Sequence, residues 1–127
     1  MMFIRRHWRL KMAKLSSGRT AEFMALQYLR LKGYSLVACN YITGRGTGAG
    51  EVDLIVKNQT SLVFVEVKKR KNLEQAAYAI KPKQQLRIRK GAEAFLAKHP
   101  EYENFDIRFD AVLIKFPFGF EHVENAF

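Results

Sequence analysis

The sequence predicts an α/β layer fold, and three observations carry that expectation. Segments with helical and strand periodicity follow one another as helix, strand, strand, strand, helix, strand. The central pair of strands, within Gly50–Arg70 (GEVDLIVKNQTSLVFVEVKKR), is apolar on both faces, as in a sheet covered on both sides. The two helical segments each carry one apolar stripe to lay against such a sheet.

The chain has 127 residues, enough for one domain, with 48% hydrophobic and 27% charged residues. No apolar run approaches the roughly 20 residues that a membrane helix needs. A single cysteine, Cys39, excludes an intrachain disulfide; it is expected as a small buried residue in a reduced, cytoplasmic setting. His7, His99 and His122 lack zinc-type spacing. The formal net charge is +10, unevenly placed. Residues 1–50 hold nine Lys or Arg against Glu22 alone, and residues 68–90 hold nine more against Glu74 alone. Two basic blocks around an acidic hairpin suit a polyanion, so nucleic acid is the expected partner and a membrane is not.

Residues 1–15 (MMFIRRHWRLKMAKL) read as a basic arm or an extra helical turn, with an organelle transit peptide open on composition alone; a signal peptide needs a longer apolar core. One domain, 16–127, follows. Ser17–Lys32 reads as a helix with Ser16 or Ser17 as N-cap and Gly33 as C-cap. Ala21, Met24, Ala25, Tyr28 and Leu29 form its stripe, with Glu22 at the margin. Tyr34–Thr43 reads as a strand. The following loop, 44–50, has four glycines but no phosphate-loop lysine and no helix after it, so it reads as a hairpin loop from which Arg45 can reach a nucleic-acid backbone.

Glu51–Lys57 and Leu62–Lys68 read as a hairpin around Asn58–Ser61. That register pairs Lys57 with Leu62, Ile55 with Phe64, Asp53 with Glu66 and Glu51 with Lys68. Alternation then puts Glu51, Asp53, Ile55, Leu62, Phe64, Glu66 and Lys68 on one face, and Val52, Leu54, Val56, Val63, Val65 and Val67 on the other. Asp53 and Glu66 would stand roughly 5 Å apart at Cβ, where like charges repel. A shared proton, a basic side chain or a divalent cation must offset this. Two carboxylates with Lys68 beside them suggest a hard-metal site for phosphate chemistry.

Lys69–Lys81 opens polar and without clean periodicity, a candidate lid. Pro82 fits the first turn of a helix that runs to about Lys98, before Pro100. Ile88, Ala92, Phe95 and Leu96 form its buried face, and Lys83, Arg87 and Lys90 share another. Phe105–Phe116 alternates as a core strand in which Asp110 pairs with Arg108 or a loop amide. Pro117–Phe127 adds an edge strand.

Asp53 followed by Glu66-Val67-Lys68 resembles the PD-(D/E)xK nuclease superfamily. Gly50-Glu51-Val52-Asp53-Leu54-Ile55, Phe64-Val65-Glu66-Val67-Lys68, Arg108-Phe109-Asp110-Ala111-Val112 and Asn125-Ala126-Phe127, with Ala21-Glu22 upstream, resemble the YraN-like family of bacterial proteins. The resemblance spans about Gly18 to Phe127. It implies a restriction-endonuclease-like core, a mixed sheet flanked by helices on both faces. It also implies a Mg²⁺- or Mn²⁺-dependent nuclease for DNA, or a nucleic-acid-binding module of the same fold with little catalysis. Asp53, Glu66 and the Val67 carbonyl would hold the metal, with Glu22 reaching it through a water. Lys68 would orient the attacking water or stabilise charge on the transition state; Glu51, outside the superfamily motif, lies on the same face and is read as a partner of Lys68. Lys69, Arg70, Lys83, Gln84, Gln85, Arg87 and Lys90, with Arg45, are the expected nucleic-acid contacts. A homodimer would supply two active sites for two strands.

Overall fold

The computed structural model describes residues 18–44, 50–70, 80–115 and 119–127. The basic arm, Arg45 and most of the expected lid lie outside the described residues, as do the side chains of Arg19 and Arg70.

Helix α1 spans Gly18–Leu31. It ends where Gly33 adopts φ 99°, a left-handed conformation that costs glycine little. The Gly33 amide donates to the Arg30 carbonyl and the Tyr34 amide to the Leu29 carbonyl, the paired bonds of a Schellman cap. Strand β1 (Ser35–Thr43) follows, then β2 (Gly50–Lys57) and β3 (Ser61–Arg70). Helix α2 covers Pro82–Lys98, the span that the two prolines delimit in the sequence. A short 3₁₀ turn, Pro100–Tyr102, leads into β4 (Asp106–Lys115), and β5 (Phe120–Val123) is the expected edge strand.

The strands form one mixed sheet in the order β1-β2-β3-β4-β5. β3 and β4 are parallel and the other neighbours antiparallel, so the parallel pair is the one joined across α2. The hairpin register is the expected one, with Ile55 opposite Phe64 and Lys57 opposite Leu62. Asn58 sets the turn: its side-chain oxygen accepts the Thr60 and Ser61 amides.

Helices cover both faces of the sheet. Ala21, Ala25, Leu26 and Leu29 of α1 pack on Leu54, Val56, Val63, Val65, Val112 and Ile114. Ile88, Ala92 and Phe95 of α2 pack on Ile55, Leu62 and Phe64. Ile88, Ala92 and Phe95 are buried as expected, whereas Leu96 is only half-buried.

Two expectations need correction. Val52 joins the α2 cluster instead of the α1 face. The start of β2 runs so close under α2 that a Cβ on Gly50 would stand 2.4 Å from the Gly91 nitrogen, and one on Gly91 would stand 2.8 Å from Val52 Cγ2. At that crossing Val52 meets the helix. Cys39 is exposed, not buried, because it lies on β1, the outer strand of the sheet.

Candidate active site: a carboxylate pair between β2, β3 and α2

The recorded pairing of β2 with β3 stops at Leu54 and Val65. Just beyond it, Asp53 Oδ2 accepts the Val67 amide at 2.9 Å. The carboxylate is thus fixed by the next strand's backbone. Glu66 points to the same side, and the two carboxyls line one pocket close enough for each to act on the other's proton. Lys68 Nζ stands 3.3 Å from Glu66 Oε1, and both side chains are nearly buried, 14% and 12% exposed. Asp53, Glu66 and Lys68 therefore converge as the register required.

Burial raises the Asp53 carboxyl above its ordinary range, against the opposing pull of the Val67 amide. Burial, reinforced by the Asp53 charge, pushes Glu66 up to about 7. Lys68 offsets only part of this. Of the three ways to relieve the repulsion, the side chains supply one, the Lys68 cation beside Glu66, and the raised Glu66 carboxyl favours a second, a retained proton.

This has a consequence for stability. Glu66 binds its proton more tightly in the folded chain than in the unfolded one. The stability so contributed is present below the unfolded value near 4.5 and is lost as pH rises through about 7. In a buffer with chelator, the urea midpoint should fall as pH rises across that window. Glu66→Gln should flatten the profile. A parent profile that rises across the same window would contradict the assignment.

The pocket beside this pair has a volume of about 160 Å³ and is lined by Glu51, Asp53, Glu66, Gln84, Arg87 and Ile88. α2 supplies Gln84, Arg87 and Ile88, one turn apart on the helix side that faces β2. Glu51 was expected beside Lys68. Instead its Oε2 takes Arg87 Nη2 at 2.7 Å, while Lys68 turns to Glu66. Ile88, read only as a core residue, also forms part of the pocket wall.

The other expected residues are distributed as follows. Glu22 is half-buried on α1, which packs on the opposite face of the sheet, and it does not line the pocket. Val67, whose carbonyl the resemblance implied as a ligand, is tied to Asp53 through its amide. Gln85 donates to the Ile80 carbonyl at 2.9 Å, so this side chain secures the start of α2. Lys69, Lys83 and Lys90 are exposed. Arg70 closes β3. Among the described residues, no three His, Cys, Asp or Glu side chains gather as a metal-binding group. The two paired carboxyls are nonetheless hard oxygen donors of the kind that Mg²⁺ or Mn²⁺ takes in ones and twos, completing the shell with water and phosphate.

A second polar cluster, remote in sequence from the pocket, went largely unread. Asp110 is completely buried on β4. Arg108 grips it with Nε at 2.9 Å from Oδ1 and Nη2 at 2.8 Å from Oδ2, and the Asn125 amide donates to Oδ1. The Arg108 partner and the loop amide were both expected. His122 was not: its Nε2 lies 2.7 Å from Asp110 Oδ2, and its Nδ1 lies 2.6 Å from Lys32 Nζ. A carboxylate only accepts, so His122 Nε2 is the donor toward Asp110. Burial alone would raise Asp110, but the hydrogen bonds from His122, Arg108 and Asn125 hold its carboxyl below the ordinary value.

Fold and pocket together define a mixed-sheet α/β protein with a carboxylate–lysine site on its central hairpin. Among the described residues no helix is long and apolar enough to cross a membrane. A family profile described as "Uncharacterised protein family UPF0102" matches residues 21–114. The chain is 47% identical over 97 residues to a UPF0102 protein of Paramagnetospirillum magneticum, covering 76% of this chain and 75% of that one. It is 46% identical over 104 residues to one from Rhodopseudomonas palustris strain BisB18, covering 82% and 74%. Against another from strain CGA009 of that species it is 40% identical over 117 residues, covering 92% and 87%. The chain belongs to the UPF0102 family.

Proposed function

We propose that this chain is a metal-dependent nuclease that hydrolyses phosphodiester bonds in nucleic acid. Structured or branched DNA, of the kind met in repair or recombination, is the substrate class to try first. The observation that carries this reading is the convergence of Asp53, Glu66 and Lys68 at one end of the central hairpin, beside a pocket walled by Gln84 and Arg87.

Asp53 and Glu66 would hold Mg²⁺ or Mn²⁺. When bound, such an ion supplies Lewis-acid polarisation of the phosphate and an acidified water. Asp53 is held ready by the Val67 amide, and Glu66 would have to be ionised to hold a cation with it. Lys68 stands beside Glu66, from where it would orient the attacking water or stabilise charge building on the phosphate. Gln84 and Arg87 offer donors to the phosphate from the helix side. The exposed Lys83 and Lys90 extend that basic surface for the flanking backbone.

The test is a cleavage screen of the full chain over single-stranded, duplex, flap and four-way DNA and RNA with Mg²⁺ or Mn²⁺, beside titration calorimetry with each ion. Metal-dependent cleavage is the expected result. No cleavage, with no divalent-ion binding that depends on Asp53, would overturn the reading. Salt-dependent binding without cleavage would favour a nucleic-acid-binding module of the same fold.

A further inference from the structure

The mechanism above uses Arg87 but not Glu51 or the ion pair between them, which lies in the wall of the pocket. Its 2.7 Å contact joins β2 to α2, two residues before Asp53 and three after Gln84. The pair is half-exposed, 50% for the Arg87 side chain and 41% for Glu51, so water and a ligand can reach both partners. An exposed pair of this kind is worth at most about 1 kcal/mol and is readily exchanged. A backbone phosphate offers arginine a bidentate partner that a single carboxylate oxygen does not match. A phosphate entering the pocket also meets three carboxyls, Glu51, Asp53 and Glu66, and among the described residues the charge of Glu51 is offset from across the groove by Arg87.

We propose that Glu51 is a latch on Arg87: the guanidinium rests on Glu51 in the free protein and leaves it for an incoming backbone phosphate. Glu51 is then a positioning residue that works against binding, setting the threshold a phosphate must exceed to take Arg87. The proposal rests on the nucleic-acid reading of the pocket, but not on cleavage.

The experiment measures the affinity of the full chain for a short fluorescent duplex DNA, in chelator, across a salt series. The parent, Glu51→Gln, Arg87→Gln and the double variant form a cycle. Both positions are half-exposed and neither change empties the core, and a thermal melt confirms folding. Glu51→Gln should tighten binding about 2- to 5-fold and steepen the salt dependence by roughly one ion. Arg87→Gln should weaken binding. In the Arg87→Gln background, Glu51→Gln should lose most of its effect. Equal tightening in both backgrounds would mean that Glu51 acts only through its general field, and the latch fails. Weaker binding by Glu51→Gln would mean that Glu51 holds Arg87 in place for phosphate, and the latch fails again. If the parent binds neither the duplex nor single-stranded, flap or four-way DNA or RNA, the nucleic-acid reading of the pocket fails and takes the latch with it. A parent that binds but shows no coupling removes the latch alone.

Discussion

Asp53→Asn should all but abolish divalent-ion-dependent cleavage and leave the protein folded. The amide keeps the size of the side chain, and its oxygen can still accept the Val67 amide at the position Oδ2 now occupies. What it loses is the charge that a hard cation requires. If the ion contributes several kcal/mol to the transition state, the expected loss is about 10³-fold or more. Stability should rise slightly above neutral pH, because the charge that helps to push Glu66 up to about 7 is gone. Without metal, nucleic acid should bind as well as to the parent or better. Lys68→Ala separates the roles: cleavage should fall while ion binding in calorimetry persists. An Asp53→Asn protein that cleaves at the parental rate would remove Asp53 from the site.

Asp110→Ala should destabilise the fold by about 3–5 kcal/mol. Asp110 is completely buried and holds four donors: the Arg108 Nε and Nη2, the His122 Nε2 and the Asn125 amide. Alanine leaves the Arg108 charge without its buried counter-charge, and the His122 side chain, only 1% exposed, has no water to turn to. Against the roughly 5–15 kcal/mol of a whole domain, that is a large share. Urea titration at pH 7 measures it directly. A loss under about 1 kcal/mol would mean that the network is dispensable. Cleavage by whatever fraction stays folded should be unchanged, since none of these residues lines the pocket.

What the sequence made legible follows from the range of the interactions involved. The hairpin register was readable because a short polar segment separates two β-rich runs, and period-two alternation then decides every facing. The bounds of α2 were readable because Pro82 and Pro100 act locally on the backbone. Arg108 with Asp110 was readable because they are two residues apart on one strand. Lys32 with His122 was not: 90 residues separate them, and neither carries a local signal. Nor was Arg87 with Glu51, although both were noted separately, because pairing them requires the angle at which α2 crosses β2. Val52 was misplaced for the same reason. Alternation assumes a strand that keeps its distance from the layer above, and β2 does not do so at its start. Glu22 shows another limit. Helical spacing gives its angle around α1 but not which face of the sheet α1 will cover.

The contact between Gly50 and Gly91 makes α2 a lever. Two backbones cross there without side chains between them, so the crossing point is fixed by backbone contact and any tilt of the helix would pivot about it. Gln84 lies seven residues from this fulcrum, roughly 10 Å along the axis. A tilt of about 10° carries Gln84 sideways by roughly 2 Å, enough to open or close the gap between the Gln84–Arg87 wall and the carboxyls on the hairpin. On the other arm, Phe95 is wedged among Tyr41, Phe64 and Tyr102. A change in that aromatic packing that tilted the helix would therefore alter the groove at the other end, which the aromatic group does not touch.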